Sequence, residues 1–336
     1  MHKHDDGFTI PEVLIATLLT MVVMGGALGA FNSAMTLTDT SRIVSDTNQG
    51  MQAAMSLMVR DFIQTGQGIP KGGIPIPTGG GTAPIVRPAP AGGVTYPAAW
   101  VTMPALAPGG SLGPNVLGVT TDIVTLFYSD PTLALNQWPL TAIAANGSTM
   151  TVDNRTAING ASNGIVPGDI ILFTNALGSA MQMVTSVNAQ VVTFADGDAL
   201  GLNQRTAPNG TILLLQAAGV YPPTTATRLN MVSYYIDNTT DATLPRLIRQ
   251  VGNGPRRAIA MGVENLQFTY DLVDGTTNPS NVETPPVANS SNQIRKANLY
   301  IASRSLDISL PTHQFIRNSM AVGVGLRSLS FVDRYR

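Results

Sequence analysis

The chain has 336 residues, a formal net charge of -1 and only 12% charged residues, with 33 glycines and 23 prolines. Near-neutral charge leaves no basic face for nucleic acid, and this charge-poor, Gly/Pro-rich composition suits an exported domain of strands and loops better than a helical cytosolic enzyme. Cysteine is absent, which excludes disulfides, thiolate metal sites and cysteine nucleophiles, and His313 is the one histidine beyond the N-terminal tail, which excludes a histidine-rich zinc site in the body.

Residues Met1 to Gly7 are short and polar, and from Val13 to Thr38 no residue is charged. A run of about 20 apolar residues crosses a hydrocarbon core, so this segment can span a membrane. Glu12 stands at its start. A carboxylate in an apolar setting costs several kcal/mol (roughly 2 or more) without a partner, yet negative charge at a helix N-terminus is favourable. Both accounts of Glu12 stay open on residue chemistry alone. Gly25-Gly26 and Gly29 are expected to loosen the helix midway. An ordinary secretory signal would need a cut near Ala27-Leu28-Gly29-Ala30, but the apolar run overshoots that site.

From Arg42 to Ile63 the pattern becomes one-sided. Val44, Met51, Met55, Met58 and Phe62 recur at helical spacing, with Arg42, Asp46 and Asp61 expected to face away. The helix should stop near Thr65-Gly66. The prediction is one helix from about Phe8 to Gln64, with a membrane half and an amphipathic half that packs on a sheet of the same chain.

The phrase Gly7-Phe8-Thr9-Ile10-Pro11-Glu12, followed by the uncharged run, resembles the prepilin cleavage and methylation site of type IV pilins. The resemblance implies a cut between Gly7 and Phe8 by a prepilin peptidase, N-methylation of Phe8, and retention of Glu12 as the carboxylate used in assembly. In that scheme Glu12 of one subunit pairs with the Phe8 amine of a neighbour inside an apolar filament core, where low dielectric strengthens the pair. The leader departs from the usual basic pattern through Asp5 and Asp6, and Pro11 replaces a more common apolar residue.

Gly66 to Asn115 is dense in Gly and Pro and is expected to form a long surface loop, mobile in part, docked by Tyr96 and Trp100. Strands are then predicted at Asp122–Tyr128, Asp169–Phe173, Met181–Val187, Val191–Phe194, Ile212–Leu215, Met231–Ile236, Leu247–Val251, Val263–Asp271, Asn298–Ser303 and Leu326–Phe331. Val263 to Tyr270 alternates apolar and polar residues, the mark of a half-buried strand. No helical pattern alternates with the strands, so a parallel sheet is not expected. The predicted class is α+β, a long N-terminal helix on an antiparallel sheet. The expected divisions are a leader at 1–7, the helix at 8–65, the Gly/Pro-rich loop at 66–118 and a β-rich domain at 119–336.

Local phrases such as Pro167-Gly168-Asp169-Ile170-Ile171-Leu172, Val232-Ser233-Tyr234-Tyr235-Ile236, Pro245-Arg246-Leu247-Ile248-Arg249 and Leu326-Arg327-Ser328-Leu329 resemble PilW-type minor pilins. The resemblance implies a structural, non-enzymatic subunit that helps start pilus assembly. Its implied partners are the peptidase, other major and minor pilins and, before assembly, the inner membrane. The alternatives are a type II secretion pseudopilin and a membrane-anchored adhesin or sugar-binding protein using the Gly/Pro loop.

No catalytic residue, cofactor or metal site is expected. The Asp-rich stretches Asp196-Gly197-Asp198, Asp237-Asn238 with Asp241, and Asp274-Gly275 read as turns rather than calcium loops. Arg256-Arg257 and Arg295-Lys296 are too small for a nucleic-acid patch.

Overall fold

A computed structural model of the chain describes residues 9–130, 140–153, 158, 164–273, 275–285, 293–309 and 312–330. They form an α+β fold. A single helix, α1 (Ile10–Gln64), is followed by strands whose pairings are antiparallel throughout the described residues. The chain divides into two compact units. One holds helix residues up to Gln49 together with Arg304–Arg317, and the other holds Gly50–Ser303 and the residues from Asn318 onward.

The Gly/Pro-rich segment is built into the fold rather than lying over it. It carries six two-residue strands, β1 (Ile74–Pro75), β2 (Val86–Arg87), β3 (Val94–Thr95), β4 (Thr102–Met103), β5 (Leu106–Ala107) and β6 (Asn115–Val116), and β7 (Val119–Thr120) follows directly. Ile74, Ile76, Ile85, Met103, Leu106 and Ala107 are buried. Glycine is what permits this. Gly73 sits at φ 83°, and a Cβ there would lie 2.7 Å from the Met103 carbonyl oxygen. At Gly210 a Cβ would lie 2.0 Å from the Ile76 carbonyl oxygen. The backbones approach too closely for any side chain, so composition that reads as loop becomes core.

The remaining strands are β8 (Val124–Ser129), β9 (Leu140–Ile143), β10 (Thr149–Val152), β11 (Ile170–Asn175), β12 (Gly178–Met183), β13 (Ser186–Asn188), β14 (Val191–Thr193), β15 (Thr225–Asp237), β16 (Arg246–Val251), β17 (Arg257–Met261), β18 (Val263–Leu272), β19 (Ile294–Ile308) and β20 (Phe315–Gly325). The 13-residue β15 is the hub of the largest sheet. It pairs with β11 over Thr225–Leu229, with β8 over Leu229–Tyr234 and with β16 over Val232–Asp237. Strands β13, β14, β10 and β9 form a second sheet, and β18, β19 and β20 a third.

Two predicted strands are instead helical turns. Ile212–Leu215 is a 3-10 turn, and Arg327–Ser330 is a short helix, α2; Phe331 lies outside the described residues. In each, buried apolar residues recur at a spacing of three (Ile212 with Leu215, Leu326 with Leu329), which a helical turn places on one side and a strand would split across two faces. Four strands after β7 escaped prediction: β9 and β10 are only four residues each, and β17 and β20 carry weak alternation. The predicted alternation in β18 is present: Leu266, Phe268, Tyr270 and Leu272 are buried, and the residues between them are partly exposed.

The final turns of α1 complete the main core. Met51, Ala54, Met55, Met58 and Phe62 pack with Val232, Tyr234 and Ile236 of β15 and with Leu266, Phe268 and Tyr270 of β18. Phe62 stacks on Phe268 at 5.8 Å. Burying each of these Met and Phe side chains contributes about 1.5–3 kcal/mol. Asp61, expected at the surface, is fully buried on the same face. Its carboxylate accepts from Tyr128 Oη at 3.2 Å, from Tyr234 Oη at 2.7 Å and from Arg249 Nε at 2.7 Å. It lies three residues after Met58 and seven after Ala54, so the helical period itself turns it inward. Burial, and then the Asp61 charge, push the Tyr128 hydroxyl up to about 12 and raise Tyr234 as well. Burial works to lower Arg249, but its bond and charge interaction with Asp61 raise it above its ordinary value.

Removing one member of a buried pair strands the other. We expect Asp61→Ala to cost about 3 kcal/mol, the lower end for such a break because Arg249 keeps some solvent. Arg60→Ala, which removes an exposed guanidinium 3.8 Å from the same carboxylate, should cost less than about 1 kcal/mol. Urea midpoints of the two variants in detergent solution measure both.

A second carboxylate gives a pH signature. Burial of Asp237 opposes its charge, but bonds from Thr239, Thr240 and Arg246 more than offset this and lower it to about 2. Because the folded value lies below the unfolded one, its stabilisation is complete above about pH 4 and is lost as the pH falls toward 2. Asp237→Asn should therefore flatten the acid limb of the stability–pH curve in that window and lower stability near neutrality.

Candidate functional site: the N-terminal segment

The first part of α1 behaves unlike the rest. Leu14, Val22 and Leu28 are each about two-thirds exposed, and so are their neighbours on every side of the helix. The most apolar window has a mean hydropathy of 2.2 with none of it buried. The helix is long and apolar enough to cross a membrane. The α-helix runs continuously through Gly25-Gly26 and Gly29.

The Thr and Ser hydroxyls inside this stretch are satisfied by the helix itself. Thr17 Oγ1 donates to the Leu14 carbonyl, Thr20 to Ala16, Ser33 to Gly29, Thr36 to Ser33 and Thr38 to Ala34, all within 3.0 Å. In hydrocarbon an unpaired hydroxyl is penalised, and back-bonding to the preceding turn removes that cost. The residue pattern marked the apolar run without showing this.

Glu12 closes the N-terminus of the helix. The Thr9 backbone N–H donates to its Oε2 at 3.0 Å and the Thr9 hydroxyl to the same oxygen at 2.8 Å. Thr9-Ile10-Pro11-Glu12 thus has the spacing of a capping box, with Glu reaching back to an otherwise unpaired N–H. Pro11 lies within the first helical turn, where a missing N–H costs nothing. Sequence reasoning had weighed Glu12 as a dipole-favoured or partner-seeking charge; the T-x-x-E spacing was the signal for the cap. Both bonds fall on Oε2, and Oε1 accepts none from the described residues. Gly7 and Phe8, the expected processing residues, lie outside the described residues.

Next to the apolar stretch, Arg42 links Asp39, Asp46 and Asp307 at 3.3, 3.5 and 3.4 Å. This network is exposed, so water and salt screen it and it adds little stability. His313 holds a positive-φ turn position and donates its N–H to Ser309 O.

The other charged candidates are tied into local structure. Asp196 pairs with Arg205, Asp198 accepts the Leu200 and Asn203 amides, and Asp241 accepts the Thr243 amide; Asp274 lies outside the described residues. Lys296 pairs with Asp271, and Arg256 donates to Ala89 O. Among the described residues no group of three His, Cys, Asp or Glu gathers to hold a metal.

The cap has a measurable consequence. Glu12→Gln keeps an acceptor for Thr9, whereas Glu12→Ala does not. Hydrogen exchange in detergent should therefore quicken at the first helical amides in the Ala variant and stay near wild type in the Gln variant.

Comparison with protein-family models, with curated proteins and with solved structures found no match to this chain.

Proposed function

We propose that the chain is a structural, non-enzymatic subunit of a type IV pilus, a minor pilin that is processed at Gly7–Phe8 and takes part in starting the filament. The observation that carries this reading is one continuous helix in two environments. Its first part is apolar and exposed on all sides with a capped carboxylate at its head, and its last turns are buried in a β domain. A side-chain shell of that kind needs apolar surroundings, first a bilayer and then the core of a bundle of like helices.

In this reading the cut after Gly7 frees the Phe8 amine. Glu12 accepts from Thr9 through Oε2, and Oε1 accepts the methylated Phe8 amine of the adjacent subunit. A carboxylate and an ammonium brought together in an apolar filament core hold far more strongly than in water. The carboxylate also selects register, since a subunit displaced along the axis leaves both charges unpaired.

Intact-mass measurement tests the processing step: the mature chain should lack Met1–Gly7 and carry one added methyl. Replacing Gly7 with a bulkier residue should leave the full-length mass. Glu12→Ala should still be cut, but its amount in sheared filaments should fall at least about tenfold. An unshortened wild-type chain overturns the reading.

A further inference from the structure

The Gly/Pro-rich segment forms a pre-shaped groove of about 460 Å³, walled by Pro77, Pro84, Pro97, Trp100 and Leu112. Its walls are tied down. Ile76 N–H donates to Val101 O at 3.1 Å and Tyr96 N–H to Ile85 O at 2.9 Å. The Gln204 side chain clamps Ala83 from both sides, accepting from its N–H at 2.7 Å and donating to its carbonyl at 2.8 Å. Gly201, at φ 72°, closes against Pro84 O, where a Cβ would lie at 2.7 Å.

One end of the groove is an aromatic platform with an inner cation behind it. The Arg87 guanidinium lies 4.9 Å over the Tyr96 ring, and Trp100 stacks on Tyr96 at 5.5 Å and 28°. Tyr96 thus contacts both Arg87 and Trp100. Arg87 is 1% exposed and donates to the carbonyls of Ala107 and Pro108, with no carboxylate partner among the described residues. Its charge is directed into the stack. Trp100 is half-buried at the outer end, and the turn Trp100 N–H to Pro97 O sets its position.

The lining contains no charged side chain but includes Thr78, Thr82 and Thr95, whose hydroxyls bond to none of the described residues. We infer that this groove binds a neutral saccharide, whose C–H face lies on Trp100 and whose hydroxyls meet the threonines. Charge selects against acidic ligands, because ionised groups would be desolvated there without a partner. A proline-rich peptide would use the indole and the proline walls but leave the hydroxyls unserved. The inference goes beyond the pilus reading and does not depend on it, since binding is read on the purified chain whether or not it is processed or assembled.

The test uses the full chain in a detergent without a sugar headgroup, on a Trp138→Phe background so that fluorescence reports Trp100. Titration with neutral hexose and N-acetylhexosamine oligosaccharides should give saturable quenching with at least one, together with saturation-transfer signals from ring protons. Trp100→Ala, read by ligand-side transfer, should weaken binding at least about tenfold. Thr82→Val and Thr95→Val, which leave the stack intact, should each weaken it about threefold or more, within the range for loss of a hydrogen bond. The inference is overturned by no saturation with any neutral oligosaccharide up to about 10 mM, a weaker limit than common protein–ligand affinities. It is equally overturned if a proline-rich peptide binds with the same Trp100 dependence while saccharides do not, or if the threonine variants bind as wild type.

Discussion

The Asp61 carboxylate lies at zero exposure between the last turns of a helix and a β-sheet, receiving two tyrosine hydroxyls and an arginine. Taking a charge so far from water is costly, and the cost is met only when all three donors are in place. A buried ion pair of this kind adds little net stability over an apolar contact but punishes every wrong arrangement. A helix rotated by one residue would leave both Asp61 and Arg249 unpaired. The rotation that pairs them also turns Met51, Met55, Met58 and Phe62 into the core. Packing supplies the energy, and the carboxylate supplies the register.

The same helix uses different solutions at its two ends. Where its side chains are buried in protein, a polar group is satisfied by distant strands. Where its surface is apolar and exposed, Thr and Ser hydroxyls turn back onto their own carbonyls, and Glu12 turns back onto Thr9. Self-satisfaction makes that stretch indifferent to whether lipid or other helices surround it. A segment meant to leave a bilayer for a filament core needs that property, which links the local hydrogen bonding to the proposed role.

The Gly/Pro-rich segment shows how backbone freedom becomes rigidity. Prolines carry no N–H to satisfy, and glycines let carbonyls of neighbouring segments approach where a Cβ would collide. The result is a set of short ladders wedged against β12 and β15, with apolar anchors such as Ile74 and Met103 in the core. The groove at Trp100 exists because those walls are held by backbone bonds and by the Gln204 side chain.

The long helix was legible from residue order because a 3.6-residue period and an uncharged run are local properties, and the strands around β15 and β18 because strong β-branched and aromatic runs are local too. The change of environment along the helix was visible in the same way, as a shift from all-round to one-sided apolarity. Asp61 was misplaced because, although the helical period turns it inward, the donors that make a buried carboxylate tolerable, Tyr128, Tyr234 and Arg249, stand 67, 173 and 188 residues away. The Gly/Pro segment was misjudged because close backbone approach depends on what stands opposite each glycine. Local chemistry thus determined which elements form. Only tertiary structure decided where buried charge is tolerated and which flexible residues become walls, because both depend on partners that come together after folding.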